Sequence, residues 1–224
     1  MRFQDAARDA RAVVYAGVQA DPLVAQAAEL LAGASLGGRT LARAVMNGGS
    51  ADPDAWRTMF PSLFEGPAAG ASGAILAVAL RVAALGDDVR SQVRGAIVEA
   101  LTERLLARRA PGAIRRERRI LFDGVTAEIH PYDVTVERPG AAEAYDCKWG
   151  ARGIGPEVLL QLDVARGNAI AEGERLTVAL VVFDARRSCA ARLARLSRPS
   201  GPVGLVTLES LDRLAGAPAV ARPG

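Results

Sequence analysis

The chain has 224 residues, 50% of them apolar and 24% charged, the balance of an ordinary soluble globular protein with room for one core and a sizeable extension. Its net charge of +3 is unevenly placed: the first 85 residues carry seven basic and seven acidic side chains, so the excess lies in 86–224, where a polyanionic partner would bind. One histidine and two cysteines exclude a histidine-clustered metal centre, a zinc site and a disulfide framework, and make a Ser-His-Asp enzyme hard to assemble.

Asp5 and Asp9, with no apolar run beside them, argue against a signal peptide. With no cysteine framework to need an oxidising compartment, the expected location is cytoplasmic, away from any membrane. Residues 1–85 read as an all-helical N-terminal region, a support or dimerisation unit. The spacing predicts a helix from Phe3 to Ala20, then a second opened by the Asp21-Pro22 cap signal and running to Leu31. Gly37-Gly38 is expected to break the chain before a helix from Arg39 to Met46, and Asp52-Pro53 repeats the cap signal ahead of Trp56. Gly66 to Gly73 reads as a loop. Ala74 to Leu85 is too short an apolar run to span a bilayer and reads as a buried helix.

Gly86-Asp87-Asp88 caps a long helix to about Arg109, on which Glu99 and Glu103 share a face. Arg104, Arg108, Arg109, Arg115, Arg116, Arg118 and Arg119 crowd its end and the start of the next strand, either as a solvated face or as phosphate contacts. Ile120 to Phe122 and Val125 to Ile129 are expected as two strands about an Asp123-Gly124 turn. His130, beside Pro131, marks a turn or bulge before the following strand.

Tyr132 to Trp149 is the stretch that carries chemistry. Two β-rich runs flank Pro139-Gly140, a hairpin signal in which proline fixes φ and glycine supplies φ > 0. Symmetric pairing about that turn sets Asp133 opposite Asp146. Alternation puts Lys148 on their face and Tyr132, Val134, Val136, Tyr145, Cys147 and Trp149 on the other, expected as the core face. Opposed carboxylates repel unless a cation lies between them, and an all-oxygen site of this kind suits Mg²⁺ or Mn²⁺. Lys148 is the chain's single lysine against 27 arginines; a lysine is a compact point charge whose pKa can be tuned, which an arginine is not.

The loop from Gly150 to Gly155 carries Arg152, and its glycines permit close approach of a nucleic-acid backbone. Pro156 opens a helix to about Ala171, with Leu159, Leu162 and Ala165 inward. Leu176 to Phe183 has the continuous apolar run of a buried parallel strand. A basic helix, a strand from Val203 to Leu208 and a short closing helix follow. The pattern as a whole predicts an α/β protein with an α+β mixed sheet after the N-terminal helices.

Asp133 with Asp146-Cys147-Lys148 resembles the PD-(D/E)xK nuclease superfamily. The family's Pro-Asp pair reads here as Pro131-Tyr132-Asp133, with one residue inserted, and the likeness covers roughly 90–215. The resemblance implies a restriction-endonuclease-like core over 86–224. It also implies a metal held by Asp133, Asp146, the Cys147 carbonyl and Glu99, with Glu103 in reserve. Lys148 would orient or deprotonate the attacking water or stabilise the transition state, and Gln161 would stand near it. Arg115, Arg116, Arg118 and Arg152 are the expected nucleic-acid contacts.

The function expected from these residues is Mg²⁺-dependent hydrolysis of phosphodiester bonds, most naturally in DNA, with RNA as another substrate. A homodimer through the N-terminal helices would supply two sites. Two alternatives stay open: an inactive nucleic-acid-binding or assembly module on the same fold, and a metal-dependent phosphoesterase acting on RNA or nucleotides.

Overall fold

In a computed structural model, residues 1–6, 9–122, 130–196, 201 and 204–216 are described. The Asp123-Gly124 turn and the strand expected over Val125 to Ile129 lie outside them. By contacts the chain forms two units, Arg8–Arg104 and a second made of Met1–Ala7 with Leu105–Gly224. This division differs from the expected one at residue 85, because the long helix after Asp87 stays with the helical unit as far as Arg104 and the first residues join the sheet.

In the helical unit the cap residues do what their chemistry predicts. Asp9, Asp21, Ser35 and Asp52 each accept a backbone N–H at the start of α1 (Ala10–Gln19), α2 (Pro22–Gly33), α3 (Leu36–Met46) and α4 (Pro53–Met59). Gly37 and Gly38 do not break the chain. Once Ser35 has capped α3 they fill its first turn, where a Cβ on Gly38 would sit 3.2 Å from Ile75 Cδ1. α5 (Ala69–Ala83) begins earlier than expected, and Gly66–Ala83 is long and apolar enough by length and composition to cross a membrane. Its buried positions, among them Ile75, Leu76, Ala79 and Val82, pack against α2 and α3 as in a helical core. α6 (Asp87–Ala107) closes the unit.

The sheet unit is α+β. Its six strands run in sequence order: β1 (Arg2–Asp5), β2 (Ile114–Leu121), β3 (Tyr132–Arg138), β4 (Ala141–Lys148), β5 (Leu176–Val182) and β6 (Gly204–Val206). β1 to β4 are antiparallel, and β4, β5 and β6 are parallel. One expectation fails here. Residues 2–5 are a strand rather than the start of a helix, because Phe3 pairs with Ile120 and packs on the sheet's core. The arginine run divides between helix end and strand as expected, but the strand starts earlier, at Ile114, so β2 carries Arg115, Arg116, Arg118 and Arg119.

The core of this unit lies between the sheet and α7 (Pro156–Ala171), whose Val158, Leu159, Leu162 and Ala165 meet Ile120, Tyr132, Ala144, Leu180 and Val182. α8 (Arg186–Leu193) contributes Cys189 to the same core, and a 3₁₀ run over Leu208–Ala215 follows β6.

Candidate functional site

The β3–β4 hairpin has the register its sequence implies. Val134 faces Tyr145, Val136 faces Glu143 and Arg138 faces Ala141 across a turn in which Gly140 has φ 71°. Continued one step, that register sets Asp133 against Asp146. Tyr132, Val134, Val136, Tyr145 and Cys147 are buried as expected, and Trp149 stacks on Phe183 with ring centroids 5.0 Å apart.

The opposite face, which carries Asp146 and Lys148, is itself largely covered. Ala144 lies on the same side of β4 as Asp146, and Leu180 and Val182 are the β5 partners of Asp146 and Lys148. All three belong to the core packed on α7. Asp146 is therefore only 4% exposed, while the Lys148 side chain keeps 25% of its surface.

Lys148 Nζ forms an ion pair with Asp146 Oδ1. Burial alone would lower the lysine pKa, but the charges of Asp133 and Asp146 outweigh it, and the net shift is upward. Lys148 is thus an ammonium throughout the neutral range. Asp133 is fixed by the Cys147 amide, which donates to its Oδ2 at 2.5 Å. Cys147 therefore enters the site through its N–H.

Gln161 is 3% exposed and spans the start of β3. Its Nε2 donates to the His130 carbonyl at 2.9 Å, and its Oε1 accepts the His130 amide at 3.2 Å and lies 2.7 Å from His130 Nδ1. Because Oε1 only accepts, Nδ1 must carry the proton, leaving Nε2 as the basic nitrogen of the neutral ring. The two residues that sequence singled out separately are one clamp, three residues ahead of Asp133.

Glu99 belongs to the other unit. Tyr15 Oη donates to its Oε1 at 2.5 Å and Gln19 Nε2 to its Oε2 at 2.7 Å, so both carboxylate oxygens are engaged among the helices. Sequence could not reveal this, since the partners lie some eighty residues earlier. Glu103 lies on the same side of the boundary.

The expected nucleic-acid arginines divide. Arg118 is matched to Glu137 and Asp5, and Arg115 donates to the carbonyls of Gly112 and Ile114. Arg116 has a partner of its own. Arg152 is exposed, in a 3₁₀ turn (Ala151–Gly153) directly after the hairpin.

Two clusters escaped the sequence reading. Arg109 grips Glu143 with both terminal nitrogens, at 2.8 and 2.5 Å, and Tyr145 Oη donates to the same carboxylate. Burial pushes the Glu143 pKa up, but these hydrogen bonds pull it below the ordinary carboxylate value. Burial and the Glu143 charge raise the Tyr145 phenol. The second is Asp184, 5% exposed, which accepts from the amides of Ala151 and Ala185. An acid closing the apolar run of β5 was the only sequence signal for it.

Asp133 and Asp146 fit a hard divalent cation by donor type. Mg²⁺ commonly takes one or two protein carboxylates and fills the rest of its shell with water and substrate phosphate. Among the described residues no group of three or more Asp, Glu, His or Cys gathers into a fuller cage.

No protein-family model matches the chain, and no curated protein matches it. Among solved structures it is similar to protein VC1899 from Vibrio cholerae, at 14% identity and a TM-score of 0.42, covering 87% of this chain and 55% of that one. The chain thus spans about half the length of that protein.

Proposed function

We propose that this protein is a Mg²⁺-dependent nuclease of the PD-(D/E)xK type, acting in the cytoplasm on phosphodiester bonds, with DNA as the first substrate to test. The observation that carries the reading is the convergence of Asp133, Asp146 and Lys148 on one face of the β3–β4 hairpin, with Lys148 held charged by the two carboxylates. Glu99 is left out, since its oxygens already serve Tyr15 and Gln19.

Asp133 and Asp146 would hold the metal, which when bound supplies Lewis-acid stabilisation of the phosphate and lowers the pKa of a coordinated water. Two carboxylates and one ammonium leave a single negative charge. With a divalent cation the site becomes +1, the complement of one phosphodiester. Lys148 would serve as a fixed cation that steadies charge growing on the phosphate oxygens. The Cys147 amide holds Asp133 in place for this, and the Gln161–His130 clamp fixes the start of its strand.

A second reading, an inactive nucleic-acid-binding module, draws support from the closed Lys148–Asp146 ion pair, which neutralises half of the acidic pair without any metal. The test is cleavage of plasmid and single-stranded DNA in Mg²⁺, Mn²⁺ and EDTA by wild type, Asp146→Ala and Lys148→Ala. Metal-dependent cleavage lost in both variants supports the nuclease. Inert wild type that still retards DNA on a gel favours the binding module.

A further inference from the structure

A solvent-facing cavity of about 480 Å³ lies beside the hairpin's end. It is lined by Ala151 and Arg152 from the 3₁₀ turn and by Ser188, Ala191, Arg192 and Arg195 from α8 and the turn after it. The last four recur at helical spacing, so one face of α8 and the turn that continues it supply them. Asp184 fastens both walls: its Oδ2 accepts from Ala151 N at 3.0 Å and its Oδ1 from Ala185 N, at the start of α8, at 2.7 Å.

The three arginines of this cavity differ from others in the same unit. Arg109, Arg118 and Arg166 are each matched to a carboxylate. Arg152, Arg192 and Arg195 have no carboxylate partner among the described residues. Arg192 gives its Nε to the Ile154 carbonyl at 2.9 Å, which fixes the guanidinium and, among the described residues, leaves both terminal nitrogens for another acceptor. The dipole of α8 favours cations near its C-terminus and so accounts for Arg192 and Arg195. It does not account for Arg152, which comes from a different element. Three like charges around one cavity repel, and an anion between them removes that cost.

We propose that this cavity binds a phosphate ester group. Guanidinium forks suit phosphate oxygens, the Ser188 hydroxyl adds a neutral donor, and the volume lies within the roughly 300–1,000 Å³ of small-ligand sites. The neighbouring Gly153 is in contact with Lys148: a Cβ there would come within 3.1 Å of Lys148 Cδ. If the hairpin cleaves nucleic acid, the cavity grips a nearby phosphate of the same strand, but phosphate binding itself does not depend on cleavage.

Calorimetric titration in EDTA with inorganic phosphate, adenosine monophosphate and a short single-stranded DNA tests this. The Arg152→Gln/Arg195→Gln protein is expected to bind about tenfold or more weakly, with the salt slope for DNA reduced by about one per arginine. Both residues are exposed, and an unchanged far-ultraviolet circular dichroism spectrum and melting temperature verify that the variant is folded. Arg186→Gln, on the opposite face of α8, is expected to bind as wild type does, and because EDTA withholds the metal that cleavage needs, this result is separate from any failure of the nuclease reading. Binding of phosphate or the mononucleotide identifies the isolated group as sufficient. Binding of DNA alone, weakened in the double variant, identifies strand phosphates as the source. Wild type that binds none of the three, or a double variant that binds equally well, overturns the proposal.

Discussion

Replacing Arg109 by Met removes the paired cation from a carboxylate that is largely shielded from water. The two side chains are 8% and 10% exposed, so Glu143 would keep only the Tyr145 hydroxyl, and the Leu214 carbonyl would lose the Arg109 Nε donor. Breaking a buried pair by removing one partner costs about 3–5 kcal/mol. At a urea m-value of about 2 kcal/mol/M, a loss of about 4 kcal/mol lowers the midpoint by about 2 M. Trp149 fluorescence in a Trp56→Phe background would follow the sheet unit alone. Because the folded-state pKa of Glu143 is depressed, the pair's contribution is present above the unfolded carboxylate value of 4.5 and is lost as pH falls through the lower folded value. The gap between wild type and Arg109→Met should therefore narrow below that pH. Arg109→Met/Glu143→Leu/Tyr145→Phe, with all three polar partners gone, should recover most of the loss. A single variant that loses less than about 1 kcal/mol, or a triple variant no more stable than it, would refute the argument.

Gln161→Leu strips three hydrogen bonds from His130 and should destabilise the sheet unit by about 1–3 kcal/mol; a melting temperature equal to wild type would show that the clamp carries nothing. Gly140→Ala forces an L side chain into φ 71° and should cost about 1–2 kcal/mol, read by urea denaturation. With Lys148 acting as a fixed cation, cleavage should show no rise between neutral and mildly alkaline pH from its deprotonation, and Lys148→Arg should retain part of the rate. Complete loss in Lys148→Arg together with such a rise would instead make Lys148 a base.

What could be read in the sequence was local. The Pro139-Gly140 turn and the two-residue period of the strands set the Asp133–Asp146 register, and Asp21-Pro22 and Asp52-Pro53 marked helix starts by cap chemistry. What could not be read was non-local. Residues 2–5 look like helix because their strand partner lies beyond the whole helical unit. Glu99 looked available because Tyr15 and Gln19, which hold it, are distant in sequence. The spacing of Ser188, Ala191, Arg192 and Arg195 was visible, but nothing in the sequence placed Arg152 across from them. Burial of Asp146 beneath α7 depends on packing that periodicity does not contain.

The pairing of β1 with β2 has a consequence for the order of synthesis. Arg2 pairs with Leu121 and Asp5 with Arg118, so β1 lacks its β2 partner until more than a hundred further residues have left the ribosome. At about 5–20 residues per second that wait is roughly 5–25 s. The helical unit, Arg8–Arg104, is made wholly within this interval. The sheet acquires β1 only by a long-range closure that is slow for its size. A nascent chain stalled before Ile114 would carry Phe3 on an unpaired strand, the kind of edge that chaperones bind and that aggregation recruits.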